Sequence, residues 1–136
     1  MVPTAGQPGR VGALVLALAG LAVHAASLYG AIERHAFVHT ATRVEGVVSG
    51  LNAGGSHPQI TITVDGRALS FPQGGLIFGY RTGDKVKVLF DPADPAGTGV
   101  VDAVGTIWFA PLMLGGIGLL LLAAAVGTWM RSADGL

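Results

Sequence analysis

Residues 11–32 read VGALVLALAGLAVHAASLYGAI, 22 positions without Asp, Glu, Lys or Arg. Coiled as an α-helix, such a run is about 33 Å long, and the hydrocarbon core of a bilayer is about 30 Å thick. The stretch is read as a transmembrane helix. Its one strongly polar group is His24, and Glu33 and Arg34 mark the exit into water. A second uncharged run covers residues 103–130, with its densest apolar part from Ile107 onward, and Arg131 ends it. Trp108 and Trp129 lie 21 residues apart in that run. On a helix this is about 31 Å, the separation of the aromatic belts at the two faces of a membrane. Pro111 falls near the start of the run, where a missing N–H is tolerated.

Composition agrees with membrane insertion. Hydrophobic residues make up 51% of the chain and charged residues 12%, against about 25% charged in soluble domains. Mean hydropathy is +0.60. Eight basic and eight acidic residues cancel, which argues against a nucleic-acid binder that relies on phosphate attraction. The absence of Cys excludes disulfides, thiol nucleophiles and Cys-type zinc sites. A rival reading takes the first apolar run as a cleavable signal peptide, with Arg10 as its basic flank and Val23-His24-Ala25 as a small-residue cleavage site. Against it, the run continues to Ile32 and is long enough to span. Uncleaved, the chain is a two-helix hairpin with both ends on one side, expected to be the cytoplasm, and the central domain is extracytoplasmic. The expected layout is a disordered tail at 1–10, spans at 11–32 and 106–130, a β-rich domain at 33–105 and a short tail at 131–136.

Between the spans the apolar period changes from helical to two. Residues 33–38 extend the first helix past the membrane. Residues 42–51 read as a strand, weakened by Gly46 and Gly50, which are candidate bulges. Residues 52–58, NAGGSHP, form a flexible connection. Asp65-Gly66 between residues 60–64 and 67–71 is a strong hairpin signal. A two-residue turn there sets Val64 opposite Arg67, Ile62 opposite Leu69 and Ile60 opposite Phe71. Gly83-Asp84 opens a strand at 85–90, with Val86, Val88 and Phe90 on one face and the two Lys on the other. Asp91-Pro92 stops it, and a last short strand is expected at 99–103. Five short strands joined by tight turns predict a small antiparallel barrel or sandwich of the OB or SH3-like kind. The fold class is thus a membrane α + β protein in which two transmembrane helices flank that domain.

The stretch Gly83-Asp84-Lys85-Val86-Lys87-Val88-Leu89-Phe90-Asp91-Pro92-Ala93-Asp94-Pro95 resembles the Gly-Asp-x-Val-x-Val-x-Tyr-Asp-Pro-x-x-Pro signature of small bacterial membrane proteins grouped as domain of unknown function 3592. The resemblance implies one helix before a β-rich domain and a second after the signature, and it implies no reaction. Phe90 stands where Tyr is more usual, so a hydroxyl is missing. Physically the motif is an amphipathic strand followed by an Asp-Pro turn that bars continuation of the ladder.

Residues able to carry chemistry are few. His35 and His39 stand i, i+4 just outside the first span, one face of a helix, as a metal would need. A third ligand is lacking, because His57 lies in a separate loop and there is no H-E-x-x-H pattern, so no metal site is expected. Ser27, Ser49, Ser56 and Ser70 lie in no G-x-S-x-G elbow. Gly54-Gly55 is followed by neither a helix nor Lys-Ser/Thr, a poor phosphate cradle. Asp84, Asp91, Asp94 and Asp102 read as turn residues. His24 is a candidate intramembrane polar site, with a hydrogen bond to the neighbouring helix as the plainer account. Ala22, Ala26 and Gly30, with Ala123 and Gly127 and with Gly115, Gly116 and Gly118, are small-residue positions. They suit either packing of the hairpin or contact between copies of the chain. Leu76, Ile77, Phe78 and Tyr80, set among glycines, form a candidate partner-binding patch; packing on the barrel or a seat in the lipid headgroups is the alternative.

The expectation is a membrane-anchored, non-catalytic β-domain protein acting as a binding, scaffolding or envelope-accessory module. It needs no cofactor. Its partners are the lipid bilayer and a protein, either a different one or a second copy. The alternative class is a small oligomeric transport or channel subunit using His24 and the glycine-rich helix faces.

Overall fold

The structure is a computed structural model and describes residues 7–134. It contains α1 (Gln7–Thr40), strands β1 (Thr42–Leu51), β2 (Pro58–Val64), β3 (Arg67–Pro72) and β4 (Lys85–Phe90), then α2 (Pro95–Thr98), β5 (Val100–Val101), α3 (Val104–Ile107) and α4 (Phe109–Asp134). The chain divides into two units. One comprises residues 31–110, and the other joins the chain up to Gly30 with the chain from Pro111 onward.

Gly9–Thr40 and Phe109–Asp134 mark helices long and apolar enough to cross a membrane, and their outer portions, up to Gly30 and from Pro111, make up the helical unit. Both outrun the sequence expectation. The first begins by Gln7, inside the tail expected at 1–10, of which residues 1–6 lie outside the described residues. The second continues through Arg131 to Asp134, while residues 135–136 of the expected C-terminal tail also lie outside them. Ser132 Oγ donates to the Thr128 carbonyl 2.9 Å away, and Arg131 in the last turn complements the helix dipole. The helices pack along small residues. Ala13 and Gly20 on α1 and Pro111, Gly118 and Ala125 on α4 are buried, and Ser27 Oγ donates to the Pro111 carbonyl at 2.7 Å. These positions repeat every seven residues, the spacing of a coiled-coil seam. Backbones approach closely at its middle, where a Cβ on Gly118 would lie 3.2 Å from the Gly20 carbonyl oxygen. The seam corrects part of the expected stripe. Gly30, Gly115 and Gly118 face the partner helix, whereas Ala22, Ala26 and Ala123 face outward.

The β unit is one five-stranded antiparallel sheet of order β3-β2-β1-β4-β5. Its hairpin has the expected register, Val64 with Arg67, Ile62 with Leu69 and Ile60 with Phe71. Asp65 and Gly66 both have positive φ, 51° and 75°, as a type I′ turn requires. The register of β1 against β2 shifts between Val48 and Gly50, so a bulge falls at Ser49. Gly46 is not a bulge. It pairs regularly with Ile62 and Val86, and a Cβ there would press on Ile62 Cγ2 at 2.9 Å and Val88 Cγ2 at 3.0 Å. Val48, Ile60, Ile62, Phe71, Val86, Val88, Phe90 and Val101 form the core of the curled sheet. A second, smaller core lies around Leu89, Val100 and Ile107, covered by Phe37 and Val38 from the end of α1 and by Trp108. Trp108 is therefore half-buried against the sheet.

The expected small antiparallel barrel or sandwich takes the form of a curled, open half-barrel. The fifth strand is two residues, shorter than the expected 99–103, and no backbone ladder joins β3 to β5. Gln73, a buried side chain just after β3, bridges the gap, accepting the Val101 N–H at its Oε1 over 2.8 Å. Gly99 leaves room for the Phe71 ring, which lies 2.6 Å from where a Cβ would stand.

Candidate binding surfaces

The hairpin tip and the Asp-Pro turn border a concavity of the β unit. Asp91 Oδ1 accepts the Ala93 N–H, and Asp94 Oδ1 accepts the Gly97 N–H as the N-cap of α2, with Pro95 following at the first helical position. These bonds hold residues 93–96 opposite the half-buried Val64 and Leu69 of the hairpin. A cleft of about 500 Å³ lies between them, with Asp65, Arg67 and Asp94 at its rim. Beside it, Ala68 and Ser70 point their backbone groups away from β2 in the hairpin's alternation, and no backbone bond outside the hairpin is made there. An apolar floor, a rim carrying both charge signs and an unpaired strand edge are features of a protein-docking surface.

The loop carrying the expected patch is placed differently from an exposed row of four. Leu76 and Phe78 are 53% and 72% exposed, but Ile77 is 6% exposed and Tyr80 packs against the main core. The reason is how the loop is pinned. The Leu76 N–H donates to the Gly105 carbonyl at 2.9 Å and the Tyr80 N–H to the Gly55 carbonyl at 3.2 Å, and Gly79, with φ +80°, turns the chain between Phe78 and Tyr80, so that Ile77 and Tyr80 both face inward. The structure therefore does not bring the four together.

His24 lies beside the helix seam, with its Nδ1 2.9 Å from where a Cβ on Gly118 would stand. That nitrogen is buried, and among the described residues nothing hydrogen-bonds to it. The expected bond to the neighbouring helix is made by Ser27 instead, one turn further on.

Other polar groups are engaged locally. His35 and His39 stack edge-on, ring centroids 4.4 Å apart, and among the described residues no three His, Asp or Glu gather around a common point. Asp84 Oδ2 accepts the Arg81 N–H, so Asp84, Asp91 and Asp94 each serve their own turn. Ser56 Oγ stands 3.0 Å from His57 Nδ1 in an exposed loop, and among the described residues no carboxylate bonds that ring. Ser49 and Ser70 bond with Thr61 across the outer face of the sheet, and Gln59 joins Ser70 from the same side. Glu45 pairs with Lys85 at 3.0 Å on the same face, an exposed pair of small energetic weight.

Compared with known proteins, the chain is 43% identical over 122 residues to Immune protein Tsi4 of Pseudomonas aeruginosa strain PAO1, an alignment covering 86% of this chain and 84% of that protein. No protein-family model matches the chain, so the resemblance of residues 83–95 rests on those residues alone. No solved structure matches it. Its similarity is to an immune protein, and the chain is not an enzyme. With that identity, extending over most of both proteins, the chain belongs to the family of immune protein Tsi4.

Proposed function

We propose that this protein is a membrane-anchored immunity protein that protects the cell carrying it by binding a toxin protein, without chemistry of its own. The identity to immune protein Tsi4 over most of both chains carries this reading. Its own residues supply binding surfaces, and protection by a protein that catalyses nothing requires that it occupy the harmful agent or the agent's target.

The membrane part of the reading is supported by what the helices expose. Leu14, Leu18, Leu21, Leu28 and Ile32 on α1 are 55–68% exposed, and Leu112, Leu119 and Leu120 on α4 are 59–72% exposed. In water such a surface drives aggregation, whereas hydrocarbon accepts it without cost. Arg10 lies over the Trp129 ring at 5.6 Å, so basic and aromatic groups mark the end of the hairpin that carries both termini. We take that end as cytoplasmic and the β unit as extracytoplasmic, in a bacterial plasma membrane. The toxin-binding surface on this reading is the cleft between the hairpin tip and residues 93–96.

The test is functional capture. Proteins co-purifying with the tagged full chain from detergent-solubilised membranes are each expressed in a naive bacterium, with and without the chain. The reading expects one that arrests growth alone and is relieved by co-expression; a set in which none is toxic, or none is relieved, contradicts it.

A further inference from the structure

We propose that Leu76, Phe78 and Val104 form a foot by which the β unit seats itself in the headgroup–acyl boundary of the bilayer. The proposal rests on the membrane reading above and adds a second contact with lipid, outside the two helices. These are the most exposed large apolar side chains between the end of α1 and the start of α4, at 53%, 72% and 71%, where Val47 and Leu51 reach 39% and 41%. The loop that carries Leu76 and Phe78 is tied to the segment that carries Val104. The Leu76 N–H bonds the Gly105 carbonyl at 2.9 Å, and Gly105 follows Val104 directly. Gly75, with φ +117°, brings its backbone so close that a Cβ would lie 2.6 Å from the same oxygen. Ile77 turns inward as a plug, its Cγ2 3.3 Å from where a Cβ on Gly105 would be. With Ile77 inward, Leu76 and Phe78 stay exposed, and the bond to Gly105 holds Leu76 beside the segment that carries Val104.

Covalent continuity sets the depth of this foot. Gly105 stands four residues before Phe109, the first residue of α4. Four residues reach at most about 14 Å and less when helical, as residues 104–107 are, while each interfacial layer of a bilayer is about 5–8 Å thick. The loop bonded to Gly105 is held at the level where the chain enters lipid. Composition selects lipid over a protein as the occupant. Residues 71–80, FPQGGLIFGY, and 103–110, AVGTIWFA, contain no charged side chain, and Arg81 and Asp102 stand immediately outside them. A protein-binding patch carries a polar rim around its anchors; an uncharged pair of segments with Leu and Phe outward and Arg at the edge suits a lipid interface.

The absence of Cys allows a direct test on the full chain in phosphatidylcholine–phosphatidylglycerol vesicles. Single variants Leu76→Cys, Phe78→Cys and, as a solvent reference on the exposed side of β2, Thr63→Cys are labelled with an environment-sensitive fluorophore. Leu120→Cys serves as the helix reference. The proposal expects labels at 76 and 78 to be blue-shifted, several-fold less quenched by iodide than the label at 63, and quenched by phosphatidylcholine nitroxide-labelled near the glycerol backbone. Labels at 76 and 78 that behave like the one at 63, while the label at 120 is quenched by lipid, overturn the foot and leave the membrane reading standing. Protection that depends on protein-to-lipid ratio and lacks lipid quenching points to a second copy, and also overturns it. An unquenched label at 120 overturns both.

Discussion

Gly66 is a position where one side chain decides a local structure. Its φ of 75° follows one of 51° at Asp65, and a β-branched residue tolerates that region poorly. Gly66→Val should therefore lower the stability of the β unit by about 1–3 kcal/mol, the scale of a strained backbone residue, read as an earlier unfolding transition of the full chain in detergent. An unchanged transition would mean that the turn relaxes at no cost. Gln73 acts over a longer distance. Its Oε1 is the acceptor for the Val101 N–H, and Gln73→Leu leaves that donor without it at a cost of about 1–3 kcal/mol. Amide exchange at Val101 should speed up more than exchange in β2. The two residues differ in how far sequence can reveal them. Asp65-Gly66 was legible because turn chemistry is local, and the strand pairs on either side followed from it. Gln73 was not, because its partner lies 28 residues away and no short-range pattern marks a buried amide. The inward turn of Ile77 and Tyr80 is hidden for a related reason: the loop hydrogen bonds that pin their segment run to Gly105 and Gly55, both remote in sequence.

At the scale of elements, the helices and strands β1 to β4 could be located from apolar runs, turn residues and period, while the packing face of each helix could not. Reading a face needs contrast between apolar and polar positions, and residues 11–32 offer almost none. The seven-residue series of Ala13, Gly20 and Ser27 against Pro111, Gly118 and Ala125 is visible only once the helices are paired. That series makes a prediction. Gly118→Leu would drive a side chain into His24 and the Gly20 carbonyl, an overpacking worth about 1–3 kcal/mol. A disulfide engineered by Ala13→Cys with Ala125→Cys should form readily in the parent background and much less in the Gly118→Leu background. Equal cross-linking would show that the seam lies elsewhere. The antiparallel pairing also requires that reporters fused to the two termini report the same side of the membrane, and opposite sides would break the hairpin account. The last strand was anticipated longer than it is because residues 99–103 are apolar enough for a strand, yet only Val100 and Val101 find partners on β4.

For the whole molecule, the claim is that two lipid-facing helices carry a small binding domain whose partner is a toxin. The cleft by the hairpin tip is the surface assigned to that partner. Arg67 and Ala96 are exposed at its edge, so Arg67→Glu combined with Ala96→Arg should leave folding and membrane insertion intact and weaken protection by at least tenfold, about 1.4 kcal/mol in binding, as counted by surviving cells. Full protection by this double variant would move the binding surface elsewhere. Apolar runs, charge balance and missing catalytic patterns are compositional facts, and the expectation of a membrane-anchored binder rests on them. What is bound could not be read the same way, since recognition depends on surface shape, and the likeness to an immune protein supplied that direction. The most direct measurement is a competition between a host strain that carries this protein and the same strain lacking its gene. The account predicts that the deletion strain is killed or outgrown in contact with its parent and is rescued by the full chain in trans; a deletion strain that competes on equal terms, under conditions where the parent is seen to intoxicate other cells, would contradict it.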